Sequence, residues 1–181
     1  MVDASAHFSK GTLPVAFIFS APGEVEAKQK RPIAGSTGEN LDSALEVLNL
    51  LNVAAFPSRL RYDYRITNSW AAVLSSNRGD KRTEPRDSQV REIGNIERIK
   101  SEVSDCCLII LCGNKPALLS ASLSTLGRKI VVVPHIGNKA LNRKYVVSKA
   151  GSASTPLSRR AARTKLWAQA LLTAINSANV A

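Results

Sequence analysis

One of the chain's two histidines, His135, follows directly on an apolar run that ends Val133-Pro134. An imidazole there can donate a hydrogen bond to an anion as it forms, as an oxyanion hole does. The alternative is a loop histidine satisfied by a backbone carbonyl. Asn68 closes another such run, Tyr64 to Asn68. Its amide carries a donor and an acceptor on one edge, which is the pattern that reads a pyrimidine; a turn-forming Asn after a strand is the competing reading. Between Ser20 and Gly38 lies a stretch rich in Gly and Pro, containing Ala21-Pro22-Gly23, Glu24, Glu26, Arg31, Ile33 and Gly35-Ser36-Thr37-Gly38. Either carboxylate can position a water, or both are surface charges. The backbone N–H groups from Gly35 through Ser36 and Thr37, at a helix start, suit a phosphate. Arg31 and the stretch Asn138, Lys139, Arg143 and Lys144 can neutralise further phosphates, or form a solvated basic face. Leu141, among those cations, can wedge into the gap left by an extruded base, or be a buried loop leucine.

These residues fall at the ends of predicted strands. Pro14 to Ser20, Tyr64 to Asn68, Cys107 to Leu111 and Lys129 to Val133 are short apolar runs, as strands buried on both faces require. Between them lie helical patterns. Leu41, Leu45, Leu48 and Leu51 form one apolar face, with Ser36 and Glu39 at capping-box spacing. Val90, Ile93, Ile96, Ile99 and Val103 form another, over 88–103. A helix capped by Asn114 ends before Gly127. Thr155-Pro156 opens a last helix, to about Ser177, that buries Leu157, Ala161, Trp167, Ala170, Leu171 and Ile175. The stretch from Asn77 to Asp87 reads as an exposed loop. The alternation predicts an α/β fold, a three-layer α/β/α sandwich around a central four-stranded parallel sheet, with catalytic groups on the loops after Ser20, Asn68, Gly113 and His135.

The 181 residues suit a single domain, 1–181, with 1–11 and 178–181 expected to be flexible. A formal net charge of +11, from 25 Lys and Arg against 14 Asp and Glu, points to a polyanionic partner, most simply DNA. No apolar run reaches the roughly 20 residues of a membrane span, and the N-terminus has no signal-peptide pattern. Cys106, Cys107 and Cys112 crowd one strand without metal-ligand spacing, so buried free thiols in a reducing cytoplasm are expected. A monomer with no metal and no cofactor is the expectation.

In order along the chain, the motifs are Ala21-Pro22-Gly23-x-x-Glu26, Arg31-Pro32-x-x-Gly35-x-x-Gly38, Ile66-Thr67-Asn68, Leu111-Cys112-Gly113-Asn114 and Pro134-His135. This ordering resembles the uracil-DNA glycosylase superfamily, whose members flip a base out of DNA and hydrolyse its glycosidic bond. The resemblance spans roughly residues 14 to 145, as the motifs are placed. The first loop looks most like the thermostable, iron–sulfur branch, which reads Gly-Glu-Ala-Pro-Gly and then Gly-Arg-Pro-Phe-Val-Gly. The resemblance implies that His135 stabilises the departing base, that Glu26 or, second, Glu24 positions water, and that Asn68 reads the base beside Ala21, Pro22, Gly23 and Ile33.

Departures from the pattern narrow what it implies. Ser20 stands where that branch has a carboxylate, Ile33 where it has a stacking phenylalanine, and Gly137 follows Ile136 where a phosphate-pinching serine is usual. The cluster cysteines are missing, so no iron–sulfur cluster is expected. The base is then uracil or a modified pyrimidine, such as a decorated cytosine of phage DNA, with repair and antiviral defence both open. The alternatives are a catalytically silent nucleic-acid-binding protein on the same scaffold and an enzyme acting on free nucleosides.

Overall fold

The computed structural model describes residues 5–77, 79, 81–147 and 154–178. Strands β1 (Leu13–Phe19), β2 (Tyr64–Asn68), β3 (Leu108–Cys112) and β4 (Lys129–Val133) form one sheet in the order β2-β1-β3-β4. Every pairing is parallel, with Phe19 opposite Asn68, Ile18 opposite Leu111 and Cys112 opposite Val133. That register brings all four carboxyl ends to one edge. The chain runs outward from β1 to β2 and then outward on the other side from β3 to β4, so the topological switch lies between β1 and β3, where α/β sheets bind ligands.

Alternation along each strand divides the core. Phe17, Phe19, Tyr64, Ile66, Ile110, Val131 and Val133 face helices α2 (Ser36–Leu51), α7 (Asn138–Lys144) and α8 (Pro156–Ser177), meeting Leu41, Leu45, Leu48, Trp167 and Leu171. Ala16, Ile18, Ile109 and Leu111 face the other layer, built from α3 (Asp87–Val90), α4 (Ile93–Glu102), α5 (Asn114–Ala117) and α6 (Ser120–Ser124) through Val90, Ile99, Leu119 and Leu123. The architecture is therefore the expected α/β/α sandwich. Each fully buried Leu, Ile or Phe contributes about 1.5–3 kcal/mol.

Several local expectations need correction. The stretch 88–103 is two helices, because Glu92 leaves helical geometry and caps α4. The second piece is rotated so that Asn95, not Ile93, turns inward. Asn95 Nδ2 donates to the carbonyls of Ser69 and Val90 at 2.8 and 3.0 Å, leaving Ile93 80% exposed. The helix expected from Asn114 likewise breaks into α5 and α6, and Gly113 holds its cap position. Gly35 rather than Ser36 caps α2, and Glu39 pairs with Arg160 at 2.9 Å instead of closing a capping box. Leu51, Leu157 and Ala161 are exposed, while Thr164 takes an inward position on α8 with its hydroxyl on Ala161 O. Thr155 caps α8 as expected, accepting from Ser158 N–H.

The loose N-terminus is also corrected, for residues 5–11. Ser9 pairs with Ile66 through two backbone hydrogen bonds and covers the free edge of β2. His7 Nε2 lies 3.2 Å from Glu102 Oε1, and the buried Arg65 guanidinium bonds Lys10 O, Glu102 O and the Asp105 carboxylate. Residues 1–4 and 179–181 lie outside the described residues. Among those described, no helix is long and apolar enough to cross a membrane.

Candidate functional site

The four strand-end loops converge on one cleft of about 510 Å³. Phe19, Ser20, Ala21, Pro22 and Gly23 arrive from β1, Asn68 from β2, Cys112 and Gly113 from β3, and His135 from β4. Glu24, Glu26, Ile33 and Thr37 line it as well. Every base-binding and catalytic position expected from the sequence thus lines a single concavity. The far wall is Leu74 to Asn77 with Thr83 and Glu84, and of these Asn77, Thr83 and Glu84 come from the stretch read in the sequence as an exposed loop.

His135 is held on several sides. Its Nδ1 accepts the Gly137 N–H at 2.9 Å. A backbone amide only donates, so Nδ1 must be unprotonated and the ring proton sits on Nε2. Burial holds the imidazole below its ordinary value of 6.5, with Glu84 acting in the opposite direction. The ring is therefore a neutral donor near pH 7. Phe19 packs edge-on against it at 5.8 Å. Glycines make the room: a Cβ on Gly137 would lie 2.8 Å from Nδ1, and one on Gly113 (φ +110°) would lie 3.2 Å from the histidine Cβ.

Two residues aim this loop, Asn40, which the sequence reading passed over, and Trp167, which it read only as core. Buried Asn40, on α2, donates through Nδ2 to Ile136 O at 2.8 Å and to Asn138 Oδ1 at 2.9 Å, and its Oδ1 accepts from Arg160 Nε. Trp167, on α8, donates from Nε1 to Pro134 O at 2.7 Å. A buried Asn on an otherwise apolar helix face is the one sequence signal that could have flagged the first.

The end of β2 is fixed just as firmly. Arg98 Nη2 donates to Asn68 O at 2.9 Å, and Nη1 bonds Glu102, which also accepts from Thr67. Asn68 is 1% exposed, yet among the described residues its Oδ1 has no partner, and neither has the buried Ser20 Oγ. Both residues line the cleft, and orphaned polar atoms there are the arrangement expected where a ligand completes the bonding.

The carboxylates play different parts. Glu26 Oε2 accepts the Gly23 N–H at 3.0 Å and Oε1 the Gly35 N–H at 3.4 Å. It ties the cap residue of a short helix, α1 (Glu24–Gln29), folded inside what reads from sequence as open loop, to the cap residue of α2. Glu24 Oε1 accepts from Ser75 at 2.8 Å across the cleft. Ile33 is buried in the wall with φ +43°, a conformation a β-branched residue adopts only under strain, and such strain concentrates at ligand sites. Burial pushes the pKa of the Cys112 thiol up, which disfavours its thiolate.

A wider groove of about 1390 Å³ adjoins the cleft and shares His135, Gly113 and Asn114 with it. It is lined by Lys81, Arg82, Arg86, Lys115, Lys139, Arg143 and Lys144, with Glu84 the one carboxylate among the described lining residues. Ser36 and Asn138 line it too, and Thr37 lines the cleft. One expectation does not fit. Leu141 is 1% exposed in the core beneath α7, so it cannot wedge into DNA: the helix turns its apolar face to the sheet. Arg31 is exposed outside both cavities, with its guanidinium stacked on Tyr62 at 4.3 Å from the ring centroid.

Comparison with protein-family models and with curated proteins returns no match.

Proposed function

We propose that this protein is a monofunctional DNA glycosylase that extrudes a pyrimidine, uracil or a modified one, into the 510 Å³ cleft and hydrolyses its N-glycosidic bond. The observation that carries the reading is the pairing of a neutral imidazole donor at His135 with an unpartnered amide at Asn68 in one cleft, beside a groove walled by cations. In the reaction the C1′–N1 bond breaks and its electron pair leaves with the base, spreading onto the O2 carbonyl oxygen. The Nε2–H of His135 donates to that oxygen, a contribution worth about 10²–10³ in rate. Water adds its oxygen to C1′, and its proton goes to a cleft carboxylate. Glu26 and Glu24 both line the cleft and are the candidates for that part. The cleft's volume leaves room beyond a bare pyrimidine ring, which suits a substituted base. The groove receives the strand through phosphate contacts.

The test is release of base from oligonucleotides carrying uracil or hypoxanthine and from hypermodified phage DNA, read as strand cleavage in alkali. Wild type should release base from at least one, and His135→Ala should lose about 10²–10³ of the rate while still binding. Salt-sensitive binding with no release, unchanged by His135→Ala, selects the silent nucleic-acid-binding protein instead. The Ser20 hydroxyl, in the place of a family carboxylate, is what favours that second reading.

A further inference from the structure

The Asn68 amide is held in place but is not held in orientation. Its backbone is fixed by strand pairing with Phe19 and by Arg98 at 2.9 Å. Its side chain is nearly inaccessible, yet Oδ1 is orphaned, and among the described residues Nδ2 makes no hydrogen bond. The polar groups around it are committed elsewhere. Arg98 bonds Asn68 O, Asn95 and Glu102; Asn95 Nδ2 serves Ser69 O and Val90 O; the Ser69 hydroxyl donates to Ser20 O at 2.7 Å. Ser20 Oγ, also orphaned, is a hydroxyl that donates or accepts as needed.

A 4-keto pyrimidine presents an acceptor at O4 and a donor at N3. A 4-amino pyrimidine presents a donor at N4 and an acceptor at N3. An amide locked by the protein matches one and opposes the other, and sites built that way reject the wrong partner by about 10⁴–10⁵. An amide free to turn by half about its Cβ–Cγ bond matches both. The O2 oxygen, which faces the His135 donor in this scheme, is common to the two classes.

We infer that the cleft accepts 4-amino as well as 4-keto pyrimidines, cytosine-type bases alongside uracil-type ones, without selecting by the group at C4. The inference rests on the glycosylase reading.

Single-stranded oligonucleotides remove the unequal cost of unpairing. Each carries one pyrimidine among adenines, in pairs matched at C5: uracil with cytosine, and 5-hydroxymethyluracil with 5-hydroxymethylcytosine. Single-turnover release should differ by less than about tenfold within whichever pair is cleaved faster. A preference of about a thousandfold or more for one member overturns the inference and leaves the glycosylase reading intact. Release from none of the four counts against cleavage of these bases, and affinity then decides the inference. Non-cleavable 2′-fluoro versions of each pair should bind with similar Kd, tighter than an all-adenine strand; a hundredfold skew, or no gain over all-adenine, overturns it.

Discussion

Gly137→Ala tests the aim of the imidazole without removing it. The new Cβ would lie 2.8 Å from His135 Nδ1 and 2.9 Å from Cε1, against the 3.4 Å at which ordinary contact begins. The ring must retreat by the difference, about 0.6 Å, and the Gly137 N–H that fixes its tautomer loses alignment. Phe19, edge-on at 5.8 Å, limits where the ring can go. A displacement of about 1 Å costs roughly 10² in rate, so base release should fall about ten- to a hundredfold. His135→Ala gives the lower limit, and DNA affinity should stay the same because the groove cations are untouched. The assay is single-turnover release with binding measured in parallel, across pH. In wild type the rate should be level near neutrality and fall in acid with a midpoint below 6.5, since burial lowers the pKa of His135 and protonated Nδ1 would face the Gly137 N–H donor to donor. The same shift enters stability. The unfolded chain binds the proton more readily, so this contribution is present above about pH 6.5 and is lost as pH falls through the folded value. Wild-type release by a correctly folded Gly137→Ala protein would refute the claim that this turn aims the donor.

Arg143→Ala and Lys144→Ala should each weaken DNA binding and lower the slope of log affinity against log salt by about one, with little dependence on sequence; titrations at several salt concentrations check this. Leu141→Ala should cost about 2–5 kcal/mol of stability in denaturant unfolding, as a core deletion does, with no selective loss of activity on duplex over single-stranded DNA. Asn40→Ala leaves Ile136 O without its donor and should cost about 1–3 kcal/mol, with release falling more than DNA affinity. Burial raises the Glu102 carboxyl, but His7, Thr67 and Arg98 together outweigh it and hold the group below 4.5. Its contribution is therefore complete above about pH 4.5 and lost as pH falls through the folded value, and Glu102→Gln should flatten that part of the acid-unfolding curve.

The strands were legible because burial on both faces forces unbroken apolar runs, and a parallel register then brings Ser20, Asn68, Gly113 and His135 to one edge without further information. What the sequence hid was mostly decided by contacts between distant residues. Ile93 has the right period to be buried, but Asn95 has two carbonyls to satisfy, and the helix turns for the polar residue. The loop 77–87 carries no periodicity, so nothing local showed that it would wall both cavities. Leu141 reads the same as a wedge or as core; only the packing of α7 on the sheet separates the two. Residue types and strand ends sufficed to nominate His135 and Asn68. They could not supply the protonation pattern of one or the unpartnered oxygen of the other. The first follows from an amide two residues downstream, and the second from the fact that Arg98, Asn95 and Ser69 all bond elsewhere. A site's chemistry is thus set less by which groups line it than by which of their lone pairs and protons the surrounding fold has already engaged.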